Sequence, residues 1–188
     1  MKKIIAVIGN ADAKPGSEKY ELAYRTGKLL VDNGYRVQSG GMGGIMEAVF
    51  KGAKDSSNYF EGATIALLPS FNRSQNNGYS DIVIPTGMDL YRNVLVATAD
   101  AVIMVGGGAG TLSEVANAWS LKKLIICYTS VEGWSKKLAN TRLDDRIRFE
   151  NIPDDKTYGA NNEIEAVNII NEKLDLYLDT LYTGIKKY

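Results

Sequence analysis

One stretch, Ala101-Val-Ile-Met-Val-Gly-Gly-Gly-Ala-Gly-Thr-Leu-Ser-Glu114, limits what this chain can fold into more than any other. An apolar β-branched run, Ala101 to Val105, stops at three consecutive glycines. Ala109 and Gly110 lead into Thr111, and a helical pattern follows with Leu112, Val115, Ala116 and Trp119 at i, i+3, i+4 and i+7. The order is a buried strand, a tight turn and a helix N-terminus. Glycine lets the backbone turn sharply and brings bare N–H groups against a ligand. The helix start adds unpaired donors and a positive dipole end, which together favour a phosphate or another anion. Glu114, which this pattern puts in the first helical turn, is the odd member. A carboxylate beside a bound phosphate is unfavourable unless it faces another part of the ligand. The expectation is that Gly107, Gly108, Ala109, Gly110 and Thr111 hold a phosphate while Glu114 works on the sugar attached to it.

The remaining sequence narrows the chemistry. The chain has 188 residues, the size of one domain with a substantial core, expected here to span 1–188. Its 22 Lys+Arg balance 22 Asp+Glu, so the basic footprint of a general nucleic-acid binder is missing. It has no histidine, which removes Ser-His-Asp and Cys-His catalysis and the commonest zinc ligand, and no metal site is expected. The single cysteine, Cys127, lies in an apolar run and reads as a core thiol, in keeping with a cytoplasmic protein. No apolar run approaches the roughly 18 residues of a membrane span, and Met1 to Gly9 reads as a first strand rather than a signal peptide.

Taken in order, Ile4 to Ile8 is a buried strand ending at Gly9-Asn10, and Ser17 caps a helix that Gly34 stops. Tyr35 to Gln38 is the second strand. Ser39-Gly-Gly-Met-Gly-Gly44 is a second glycine turn, and a helix carrying Met46, Val49, Phe50 and Ala53 follows it. Ala63 to Leu68 and Asp81 to Ile84 are further strands, with polar Ser70 to Ser80 expected as a mobile loop over the site. A helix is predicted from about Asp89 to Ala99, carrying Arg92. After the opening stretch come a strand at Leu124 to Tyr128, a short helix near Gly133 to Asn140 and an ambiguous, charge-dense Thr141 to Glu150. Asn162 caps a last helix, about 162–182, in which Ile170, Leu174, Tyr177, Leu178 and Leu181 keep helical spacing. Strands and helices alternate with short turns, which predicts an α/β, Rossmann-like, doubly wound, mostly parallel sheet with helices on both faces. Three glycine-bearing turns then converge at the strands' C-terminal edge, with Gly9, Asn10, Gly41, Gly43 and Gly44 as further ligand-binding candidates. Tight helix–sheet packing is the alternative explanation of those glycines, and loop capping or packing that of Asn10, Asp12 and Met46. Tyr91 and Trp119 read as core aromatics.

These turns match neither common nucleotide signature. The first lacks Gly-x-Gly-x-x-Gly, the second strand ends at Gln38-Ser39 without a ribose-binding acid, and no Gly-Lys-Ser/Thr follows any glycine run. Gly107-Gly-Ala-Gly-Thr-Leu-Ser-Glu114 instead resembles the Pro-Gly-Gly-x-Gly-Thr-x-x-Glu signature of the SLOG superfamily. Its "Lonely Guy" members are phosphoribohydrolases that activate cytokinins and were long mislabelled lysine decarboxylases. Gly40-Gly-Met-Gly-Gly-Ile-Met46 is similar to their Gly-Gly-x-x-Gly-Leu-Met segment, and Arg92 sits near the Arg of their Met-x-x-Arg-Lys motif. Thr86-Gly-Met88, Arg92-Asn93, Ser113-Glu114, Gly133-Trp134 and Asp144-Asp-Arg146 look like a branch related to the molybdenum cofactor carrier protein of algae. Departures are Gly106 in place of the signature's proline, Arg92-Asn93 in place of Arg-Lys, and an Arg-to-Glu spacing one residue shorter.

The resemblance implies cleavage of a nucleoside 5′-monophosphate at its N-glycosidic bond, giving base and ribose 5-phosphate. An ionised Glu114 would stabilise the oxocarbenium-like ribose and orient water. Arg92 would bind phosphate or ribose oxygens and hold Glu114 through a bidentate contact, and the Thr111 hydroxyl and N–H would donate to the phosphate. No cofactor would be required, the bound ligand being a nucleoside monophosphate or the molybdenum cofactor. The alternatives are a non-catalytic carrier or sensor of a phosphorylated cofactor or nucleotide, and an interaction protein with a vestigial site. Related proteins assemble through helices like those carrying Tyr91 and Trp119, so a homo-oligomer, at least a dimer, is expected. Neither a nucleic-acid nor a membrane partner is expected.

Overall fold

The structure is a computed structural model that describes residues 1–178, so Leu181 and the predicted helix end near 182 lie outside the described residues. Seven parallel strands form one sheet in the order β4-β3-β2-β1-β5-β6-β7. They are β1 (Ile4–Gly9), β2 (Arg36–Ser39), β3 (Thr64–Leu68), β4 (Ile82–Pro85), β5 (Ala101–Val105), β6 (Leu124–Tyr128) and β7 (Tyr158–Ala160). The helices are α1 (Glu18–Asp32), α2 (Ile45–Lys54), α3 (Asn93–Val96), α4 (Ala109–Ser120), α5 (Trp134–Leu138) and α6 (Glu163–Leu178). This is the expected Rossmann-like α/β architecture. Strand order reverses direction at β1/β5, where Gly9 is in register with Val105.

Parallel strands covered on both faces read as continuous apolar runs, and the alternation within them sorts two cores. Ile5, Val7, Ile103, Ile126 and Tyr128 point to the side of α1, α2 and α6. Ala6, Ile8, Val102, Met104, Ile125 and Cys127 face Trp119 and the residues around α4 and α5. Cys127 is fully buried, as a core thiol should be. The local signals at helix starts hold: Ser17 Oγ accepts from Tyr20 N–H, and Asn162 Oδ1 from Glu165 N–H. Helices α1 and α2 approach backbone to backbone. A Cβ at Gly27 would stand 1.9 Å from the Val49 carbonyl oxygen, and one at Gly52 would stand 1.8 Å from that of Tyr24.

Three expectations need correction. The helix predicted from Asp89 to Ala99 is a 3₁₀ turn, Asp89–Arg92, running into the four-residue α3. Asp89 enters the turn at φ +49°, and the Asp100 carboxylate takes the Ile4 N–H, so by Asp100 the chain is already tied to the start of β1 in the middle of the sheet. Tyr91 is consequently 79% exposed rather than a core aromatic, whereas Trp119 is buried beneath the Arg148 guanidinium, 3.5 Å from its ring centroid. The Ser70–Ser80 loop contains a 3₁₀ turn, Arg73–Gln75, and is tied down: Asn77 donates its N–H to the Gly41 carbonyl and Nδ2 to that of Met42. The sequence reading missed β7, whose three residues are too few to show a period.

Segment 131–157 is mostly irregular but firmly held. Arg148 donates Nε and Nη2 to Asp155 at 2.8 and 2.5 Å and Nη1 to the Trp119 carbonyl, all buried, while the Tyr177 hydroxyl donates to the same carboxylate. Among the described residues no helix is long and apolar enough to cross a membrane.

Candidate functional site

The C-terminal ends of β1 and β2 and the start of α4 enclose a cavity of about 370 Å³. Its walls are Ile8, Gly9, Asn10 and Ala11 from the first turn, and Ser39, Gly40, Met42 and Met46 from the second. Leu90, Arg92 and Asn93 come from the 3₁₀ turn and α3, and Gly108, Gly110, Thr111 and Glu114 from α4. This is the crevice beside the β1/β5 reversal, where open α/β sheets bind ligands. Gly9, Asn10, Gly108, Gly110, Thr111, Glu114 and Arg92 therefore share one space. Gly41, Gly43, Gly44, Gly107 and Ala109 do not line it. Packing accounts for three of these: a Cβ on Gly41 would meet Ala66 Cβ at 2.6 Å, on Gly44 the Asn10 carbonyl at 2.3 Å, and on Gly107 the Thr111 side chain at 2.6 Å. Asp12 stays outside, hydrogen-bonded to Asn10.

Hydrogen bonds show which turn donors are already engaged. Gly106 N–H donates to Ser135 Oγ at 2.9 Å, and Gly107 N–H to Asn10 Oδ1 at 2.7 Å. Ser135 and Trp134 return their N–H groups to the Gly106 and Gly107 carbonyls, so Gly133-Trp134-Ser135 buttresses the turn from behind. Helix α4 begins at Ala109, and its first intrahelical donor is Leu112, to the Gly108 carbonyl. The N–H groups of Gly108, Ala109, Gly110 and Thr111 precede that bond, and no side chain caps them. The Thr111 hydroxyl donates to the Gly9 carbonyl at 3.3 Å, leaving its lone pairs rather than its proton toward the cavity. Asn93 Nδ2 donates to Ser113 Oγ at 2.7 Å, and Ser113 Oγ to the Gly110 carbonyl, which closes the wall between α3 and α4.

Because α4 takes in Ala109 and Gly110, Glu114 lies in its second turn, beyond the reach of the helix-start charge. It is 8% exposed. Burial pushes its carboxyl up to about 7, with Arg92 pulling the other way. The expected firmly ionised Glu114 is therefore replaced by a group that titrates near neutrality. The expected bidentate contact is also absent: Arg92 Nη1 stands 3.8 Å from Glu114 Oε1 and has no hydrogen-bond partner. Burial lowers the Arg92 pKa, against the pull of Glu114, and the group stays a cation. Its guanidinium lies on Gly40, where a Cβ would come within 2.6 and 2.7 Å of Nη1 and Nη2 and 2.5 Å of Met46 Sδ. Sequence reasoning passed over Gly40, Asn93 and Ser135 as individual site residues. Gly40 and Asn93 stood inside quoted motifs, but Ser135 carried no local signal.

A parallel sheet whose reversal crevice is walled by glycine turns and an uncapped helix start defines a Rossmann-like ligand-binding domain. The chain belongs to the SLOG cluster4 family, whose model matches residues 2–157. An uncharacterized protein of Archaeoglobus fulgidus is 43% identical over 115 residues, 61% of this chain and 72% of that one. The structure of the molybdenum cofactor binding protein from the phototrophic bacterium Rippkaea orientalis is 31% identical, with TM-score 0.74, covering 92% of this chain and 97% of that one. The molybdenum cofactor carrier protein of Chlamydomonas reinhardtii is 25% identical, with TM-score 0.72, covering 95% of this chain and all of that one. The protein is thus a ligand-binding member of the superfamily that its glycine motifs resembled.

Proposed function

We propose that this protein binds a phosphorylated small molecule in the β1/β5 crevice and carries it, the molybdenum cofactor being the foremost candidate. One observation carries the reading: Gly108, Gly110 and Thr111, whose N–H groups no side chain caps, line the same cavity as a buried arginine. A phosphate there accepts from the α4 first turn and meets the positive end of the helix. Similarity to two molybdenum cofactor proteins supports the choice of ligand. The zero net charge favours a small ligand over nucleic acid, and the single buried cysteine suits the cytoplasm.

A second reading, hydrolysis of a nucleoside monophosphate, is favoured by Glu114. A cavity carboxyl that titrates near 7 is suited to acid–base work at neutral pH, and ionised it can face a positively charged ribose. Melting the protein with AMP, ribose 5-phosphate and the molybdenum cofactor, then chromatography of the AMP mixture, separates the two. A melting shift without free base supports the carrier. Free base formed by the wild type and not by Glu114→Gln supports the hydrolase. No shift with any of the three, together with no free base, removes both.

We also propose a homo-oligomer, assembled through the face bearing exposed Phe71, Met88, Leu90 and Tyr91. Buried Trp119 takes no part in it. Light scattering at micromolar concentration is expected to give at least a dimer, and a monomer would dismiss the assembly.

A further inference from the structure

We infer that Arg92 is a second recognition point in the cavity, for an oxyanion on the ligand separate from the phosphate held at the start of α4. The inference rests on the phosphate reading above and adds the chemistry of the ligand's other end. Arg92 is 8% exposed, yet Nη1 has no hydrogen-bond partner. A buried charged donor left unmade is among the costlier defects a fold can carry, and a guanidinium fork suits an oxyanion. Its place is built rather than accidental. Gly40 lacks the side chain that would displace it, and Met46 Sδ lies against the same glycine.

Glu114 faces Arg92 across 3.8 Å without bonding it. In the neutral form that burial favours, it leaves the guanidinium's charge to the ligand and becomes a donor itself. The neighbouring charges are engaged elsewhere: Lys19 donates to Asn10, and Asp12 accepts from it. Thr111 and Glu114 are three residues apart on one side of α4, so Glu114 lies about 5 Å along the helix from the first-turn donors. Arg92 reaches the cavity from the 3₁₀ turn, on the Glu114 side. A phosphate on the first-turn N–H groups is already provided for. The ligand class is therefore a molecule with a phosphate at one end and a second oxyanion at the other.

Calorimetry with separate ions tests this without assuming a ligand length. Protein saturated with ribose 5-phosphate is titrated with molybdate as the tetrahedral oxyanion. The wild type is expected to bind one molybdate with ribose 5-phosphate still in place. Arg92→Met and Gly40→Ala should weaken that event more than tenfold, and Arg92→Lys, which keeps the charge, less. Melting curves confirm that each variant is folded. Molybdate displacing ribose 5-phosphate from a single shared place, binding Arg92→Met as tightly as the wild type, or failing to bind at millimolar concentration would each overturn the inference. If ribose 5-phosphate itself does not bind, the phosphate reading falls. Molybdate titrated alone into the wild type and Arg92→Met then still decides whether Arg92 takes an oxyanion.

Discussion

Arg92 Nη1 and Glu114 Oε1 stand 3.8 Å apart inside the cavity, near enough to feel each other's charge and too far to share a proton. Both are buried, and burial works against both charges. The pair is thus held in proximity without mutual satisfaction, a condition the fold imposes.

Stability should register that condition through pH. Folding raises the Glu114 pKa from an ordinary 4.5 to about 7, so the folded state holds a proton that the unfolded state has released between those values. The contribution of Glu114 is most favourable below about 4.5 and is lost as pH rises through 7. Glu114→Gln mimics the protonated form. It is expected to be more stable than the wild type at pH 8, by roughly 1–3 kcal/mol of unfolding free energy in denaturant titration, with the gap closing toward pH 5. A constant gap across that range would show that the carboxyl does not titrate there.

Gly40 tests how closely the cavity wall is fitted. A methyl group there meets Met46 Sδ and both terminal nitrogens of Arg92, the ends of flexible side chains that can yield. Gly40→Ala should therefore fold with a loss of about 1–2 kcal/mol while displacing the guanidinium. Denaturant titration measures the first effect. Failure to fold would mean the wall cannot yield.

Where the obstacle is backbone, the outcome differs. Gly27 faces the Val49 carbonyl across the α1–α2 contact, with 1.9 Å left for a Cβ. Alanine is the better helix former by about 1 kcal/mol, but the helices must separate to admit it. Gly27→Ala is expected to lose about 3 kcal/mol or more in urea unfolding. A gain in stability would show that α1 and α2 slide freely.

Arg148 gives the corresponding test for the irregular segment. Its removal leaves the buried Asp155 carboxylate with the Tyr177 hydroxyl but without its cation. Arg148→Met should cost about 3–5 kcal/mol, and adding Asp155→Leu should recover part of that loss. If the double variant is no more stable than the single one, the uncompensated charge is not the source of the cost.

The chain's own order of residues was enough to define its architecture. Six of the seven strands were legible, four of them (β1, β3, β4 and β5) as apolar runs ended by glycine or proline. Ser17 and Asn162 marked helix starts, and alternation with short turns implied the parallel sheet. These are local properties, because a strand's composition and a helix's cap act within a few residues. The glycine turns after β1, β2 and β5 were equally legible, and so was their convergence, since parallel strands bring all such turns to one edge.

Tertiary structure decided what that edge contains. Whether Glu114 is an ionised surface acid or a buried group titrating near 7 depends on the segment that packs over α4, and no periodicity in the sequence records it. Arg92 enters from a 3₁₀ turn because Asp89 and Asp100 set the ends of that segment, where the apolar pattern alone suggested a helix carrying Tyr91 inward. Ser135 and Asn10 take two turn N–H groups from opposite sides, moving the free donors from Gly107 to Gly108 and beyond. Each of these outcomes joins residues more than fifteen positions apart. Sequence periodicity reports what one segment requires of its surroundings, and only the folded chain settles which segment supplies it.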